Sequence, residues 1–82
     1  MVGRGMASTR LSVAFGELVR KHRKAKGLSQ EATAERADIH HTHVGLIERG
    51  ERVPTLDVAD RLARALDMRL SVLIAEAERQ RR

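Results

Sequence analysis

The chain has no cysteine, tryptophan or tyrosine, one phenylalanine and one proline. Without cysteine there is neither a disulfide framework nor a zinc–thiolate site, and a reducing cytoplasm suits such a chain. With Phe15 as its sole aromatic, the core must be built from aliphatic side chains. Uninterrupted apolar runs extend over only a few residues, too short to span a membrane. The opening residues MVGRGMASTR carry arginines but no apolar segment, so they do not read as a secretory signal, and Met6 is an alternative start. A length of 82 residues predicts one domain whose small core must be efficient or shared with a partner.

Alanine, leucine, arginine and glutamate dominate what is present, and these favour helix. Apolar content of 41% is that of a globular chain. The fold class expected is all-α. The net charge is +5, a balance suited to a polyanionic partner. Residues 1–10 read as an arm, 11–77 as the domain and 78–82 as a charged tail.

The first helix is expected from Leu11 or Ser12 to Gly27, with Phe15, Leu18, Val19, His22 and Ala25 on its inner face. Ser29 is a good N-cap for a second helix, in which Ala32, Ala34 and Ala37 permit a close helix crossing. Asp38 falls at a turn that calls for a left-handed residue. Ile39 then enters the core. A third helix from His41 to Arg49 turns Val44 and Ile47 inward, with His40 as its N-cap and Gly50 as its stop. Thr55 caps a fourth helix whose inner face reads Leu56, Ala59, Leu62, Ala63 and Leu66. Asp57–Arg61 and Asp60–Arg64 are surface i,i+4 pairs. The last helix starts near Leu70, with Leu70, Leu73, Ile74 and Ala77 as its apolar stripe. Two short helices joined by a tight turn over Leu28–Thr55 have the grammar of a helix-turn-helix, which places one helix in the major groove of DNA.

At that point the segment FGELVRKHRKAKGLSQEATAERADIHHTHVGLIERGERVPTLDVADRLARALDM resembles the phage-repressor/Cro-type helix-turn-helix domain, the XRE family. The resemblance covers roughly Phe15 to Ile74. The G-L-S-Q opening, the I-E-R-G close and the P-T-L-D start are specific in combination. Within the family the pattern is most similar to restriction–modification controller proteins and small stand-alone regulators. It implies a lambda-repressor-like fold of five helices that binds operator DNA as a homodimer and regulates transcription. Ser29 and Gln30 then fall at a phosphate grip at the start of helix two, and Gln30 also braces the recognition helix. His41 and Thr42 fall where base edges are read, and His43 where base or backbone is met. Gly45 and Leu46 fall at later groove-facing positions. Arg49, Arg52 and Thr55 form a second phosphate clamp, and Arg23 with Glu48 an internal salt bridge. Asp38 departs from the family's turn glycine. His41 stands where Arg or Gln is frequent, so the relatives' operators do not transfer.

Three neighbouring histidines invite a metal reading. His40 and His43 are i,i+3, but no third ligand follows at a fixed spacing. No metal or cofactor is expected; His40 is the cap, and His40, His41 and His43 are all candidate DNA contacts. Their protonation would tune DNA affinity below neutral pH. His22 has no nucleophile or carboxylate constellation beside it, and the chain does not read as an enzyme. Met68, Leu70, Val72 and Leu73 are the expected homodimer surface. The partners expected are double-stranded operator DNA and a second copy of the chain, with a further protein partner under two alternative readings. One is the antitoxin of a toxin–antitoxin pair; the other is a protein-interaction module of the same fold.

Overall fold

The computed structural model describes residues 9–81. They form five α-helices and no strand: α1 Arg10–Ala25, α2 Gln30–Ala37, α3 His41–Glu48, α4 Leu56–Ala65 and α5 Leu70–Gln80. α1 packs on α3 and α5, α2 packs on α3 and α4, and α4 closes against α5. The five-helix expectation holds, with shifted ends. α1 starts earlier than Leu11 because Thr9 caps it reciprocally. Ser12 N–H donates to Thr9 Oγ1 at 3.1 Å, and Thr9 N–H donates to Ser12 Oγ at 2.8 Å. This is a capping box with serine in place of the usual Glu or Gln. Thr9 and Arg10 therefore belong to the domain, while residues 1–8 of the expected arm lie outside the described residues. At the other end α5 runs on to Gln80, so residues 78–80 of the expected tail are helical.

Four helices end with one device. Residues Gly27, Asp38, Gly50 and Asp67 have φ of 72°, 58°, 72° and 59°. In each case the next amide folds back to a carbonyl five residues upstream: Leu28 to Arg23, Ile39 to Ala34, Glu51 to Leu46 and Met68 to Ala63, at 2.8–3.0 Å. This is the Schellman closure. Two of the four stops are aspartates, which tolerate the left-handed region better than most side chains but less well than glycine. Asp38 was legible as such a stop; Asp67 was not.

The core is aliphatic apart from Phe15: Leu18, Val19, Val44, Ile47, Leu62, Leu66 and Leu73 are all but fully buried. Thr33 is also fully buried, and its hydroxyl donates to Ser29 O at 3.0 Å, so no polar atom is stranded. Two expected inner-face residues are not inside. Ala25 is exposed in the last turn of α1. Leu56 is 79% exposed, in the first turn of α4. It stands at the rim of an apolar hollow of about 200 Å³ shared with Leu11, Phe15, Val53, Pro54 and Ile74. His22 sits at the boundary, hydrogen-bonded to Glu76 of α5 at 2.9 Å. That bond, with a smaller contribution from Lys21, lowers the Glu76 pKa below its ordinary value against the opposing effect of burial.

Gly16 decides how close α1 comes to α3. A Cβ there would stand 1.9 Å from the Ile47 carbonyl oxygen. Only glycine allows these two backbones to meet, and the crossing sets the tilt of α3 relative to the rest of the domain.

Candidate nucleic-acid interface

α3 is seated by buried polar bonds as well as by Val44 and Ile47. Arg23 of α1 donates from Nε to Glu48 Oε2 at 2.6 Å and from Nη2 to Oε1 at 3.0 Å. The two side chains are 10% and 3% exposed, so the expected pair is a buried, bidentate one. The hydrogen bond to Glu48 raises the Arg23 pKa further, against desolvation. Arg23 Nη1 also donates to Leu28 O at 2.9 Å, tying in the approach to α2. Gln30, the first residue of α2, completes the set by donating from Nε2 to Glu48 Oε1 at 3.1 Å. One carboxylate thus joins α1, α2 and α3. The bracing half of the Gln30 expectation is present in the free protein.

On its outer side α3 presents its N-terminal turn. His40 caps it: Nδ1 accepts from Thr42 N–H at 3.2 Å, so that nitrogen carries no proton. The His41 ring stacks on His40, with centroids 4.5 Å apart. His41 and Thr42 are exposed, and Leu46 is half-buried. Gly45 is not a presented position. It is buried, and a Cβ there would stand 3.1 Å from Arg49 Nη1 and 3.5 Å from Gln30 Oε1. Its groove-facing assignment is corrected accordingly: the missing side chain lets Gln30 and Arg49 close over α3. Their polar ends therefore lie together on this face.

The positions flanking α3 are polar. Ser29 Oγ accepts from Ala32 N–H at 2.9 Å and Thr55 Oγ1 from Val58 N–H at 3.1 Å, capping α2 and α4. Helix N-termini are ready anion sites. Arg49 Nε pairs with Glu51 at 3.2 Å and stays half exposed. Arg52 Nη1 lies 2.8 Å from His43 Nε2, a contact nine residues apart that no helical spacing announces. Two further arginines clamp helix ends: Arg36 donates to Ala65 O at 3.2 Å and Arg61 to Asp38 O at 3.3 Å. The i,i+4 pairs Asp57–Arg61 and Asp60–Arg64 form on the outer face of α4, at 3.1 and 3.0 Å.

The expected dimer surface divides. Val72 is 53% exposed, and Met68 and Leu70 are half-buried. Leu73 has no exposed surface. It belongs to the monomer core because it lies about 100° around α5 from Val72, and it is removed from the interface. Among the described residues no group of three His, Cys, Asp or Glu is arranged to hold a metal ion. No helix there is long and apolar enough to cross a membrane.

The helix-turn-helix family profile HTH_3 matches residues 19–73. The control protein C.SmaI of Serratia marcescens is 41% identical over 60 residues, which is 73% of this chain and 71% of that protein. The control protein C.BamHI of Bacillus amyloliquefaciens is 42% identical over 53 residues, 63% of this chain and 65% of that protein. Among solved structures, the restriction–modification controller protein C.AhdI from Aeromonas hydrophila superimposes with a TM-score of 0.72 at 43% identity. The match covers 74% of this chain and 92% of that one. The clp gene regulator ClgR from Corynebacterium glutamicum, at 21% identity and a TM-score of 0.82, shares the fold over 92% of this chain and 96% of its own. The buried Arg23–Glu48–Gln30 seat, the five-helix order and these likenesses agree: the chain belongs to the HTH_3, XRE-type family of helix-turn-helix DNA-binding transcription regulators.

Proposed function

We propose that the chain is a controller-type regulator that binds operator DNA as a homodimer, with α3 in the major groove. The observation that carries this reading is the asymmetry of α3. Its inner side is locked by Arg23, Glu48 and Gln30, while its N-terminal turn offers His41 and Thr42 to solvent. A rigid helix with a free N-terminal turn suits a reading head, because base-edge contacts need fixed geometry. In this reading His41 and Thr42 meet base edges, His43 meets base or backbone, and Leu46 touches a thymine methyl. Ser29, Gln30, Arg49, Arg52 and Thr55 hold phosphates. Met68, Leu70 and Val72 pair two copies, doubling the contacts and setting half-sites about one helical turn apart. The cytoplasm is the compartment this role requires.

Selection of bound duplexes from a random DNA pool tests the proposal. The expected outcome is a palindromic consensus whose recovery weakens steeply with salt. Recovery of DNA without any enriched sequence would count against base reading, and retention of no DNA would overturn the proposal.

A further inference from the structure

The contact between Arg52 and His43 carries a consequence beyond the presence of two DNA-facing residues. A guanidinium donates hydrogen bonds and accepts none. At 2.8 Å from Arg52 Nη1, His43 Nε2 must therefore be the acceptor. The ring is then neutral, with its proton on Nδ1. Arg52 belongs to the loop after α3, and this single bond draws its guanidinium back onto the recognition helix. We infer that neutral His43 is a positioning residue for Arg52, and that protonation of His43 releases Arg52 and couples DNA binding to proton uptake.

The surroundings leave this pair to itself. On α3, the preceding turn holds His40, whose Nδ1 is engaged by the Thr42 amide. Glu48 is taken by Arg23 and Gln30, the charged and polar groups that α1 and α2 direct at α3. Arg49 is paired with Glu51. On α4, Arg61 is paired with Asp57 and Asp38, and Arg64 with Asp60. Arg52 is thus the charged group on the His43 ring, and no carboxylate among the described residues forms an ion pair with it. Protonation puts an N–H on Nε2, where Arg52 already points a donor, and sets two cations together. The hydrogen bond is lost and Arg52 swings free. A DNA backbone beside the pair favours that state twice, since both cations gain phosphate partners.

The inference rests on the proposed DNA-binding function, and the test separates the two. Affinity is measured from pH 8 to pH 5.5 for the wild type, His43→Gln and His41→Gln. The probe is the duplex selected from the random pool or, if none is enriched, mixed-sequence double-stranded DNA. Wild-type affinity is expected to rise as pH falls, approaching about tenfold per pH unit for each proton taken up. His43→Gln keeps an amide oxygen for Arg52 and cannot titrate. Measured against its own affinity at pH 8, it should lose that rise, whereas His41→Gln, measured against its own affinity at pH 8, should retain most of it. A flat wild-type profile, or a rise undiminished in His43→Gln, overturns the inference while leaving DNA binding intact. Absence of binding to either probe at every pH overturns the function instead. The imidazole tautomer, read from ring nitrogen shifts in the free protein, decides the latch without DNA. The Nδ1–H form of His43 is expected, and a predominant Nε2–H form would refute it.

Discussion

Arg23 and Glu48 show how much depends on where a charge sits. Arg61 and Asp57 make a bond of 3.1 Å on the surface, and such a pair contributes at most about 1 kcal/mol. Arg23 and Glu48 are buried, and Gln30 leans on the same carboxylate. Removing one partner leaves the other charged and out of water. Arg23→Ala is therefore expected to lower stability by about 3–5 kcal/mol, and Arg61→Ala by about 1 kcal/mol or less. Urea denaturation of the two variants checks this, and equal losses would sink the argument. The same logic explains why His40, although exposed, is not free for chemistry: its Nδ1 is committed to the α3 backbone.

Between elements, the decisive position is Gly16. A glycine inside a helix normally costs about 1 kcal/mol relative to alanine, so Gly16→Ala would be stabilising if propensity ruled. Here the added methyl would meet the Ile47 carbonyl at 1.9 Å, and that oxygen is backbone that cannot rotate aside. α1 and α3 would have to separate. The expected result is a loss of about 1–3 kcal/mol, seen as a lower thermal midpoint, with weaker DNA binding because α3 tilts. A rise in the midpoint would mean that the crossing is looser than described.

For the whole molecule, the proposed homodimer raises the question of which apolar surface a second copy would cover. Adjacent residues of α5 separate the alternatives. Val72 is 53% exposed, and Leu73 is fully buried. If dimerisation uses the start of α5, Val72→Asp should yield a folded monomer by sedimentation. Operator affinity should fall by about 10²-fold or more, because the two half-sites are no longer held together. Leu73→Ala should instead lower stability by about 2–5 kcal/mol. A dimer that survives Val72→Asp would move the interface to another surface, of which the hollow beside Leu56 is the next candidate.

Much of this was legible before any coordinates. Helical period, cap residues and glycine stops are local, so Ser29, His40, Thr55, Gly27 and Gly50 marked their helix ends correctly, as did Asp38. The motif's spacing pointed to the family, and the family resemblance implied the Arg23–Glu48 pair. The errors lie at helix ends and in how a helix rolls against its neighbours. Ala25 and Leu56 obey the inner-face period but sit at helix ends with nothing packed over them, and Leu73 falls in the core because α5 rolls that way. The His43–Arg52 contact, the His22–Glu76 bond and the Gly16 approach join residues whose separation along the chain carries no periodic signal. Local backbone preference fixes which helices form, since it acts over one or two turns. Which side chains meet across them depends on tilt and roll, and those are set only when the whole core packs at once.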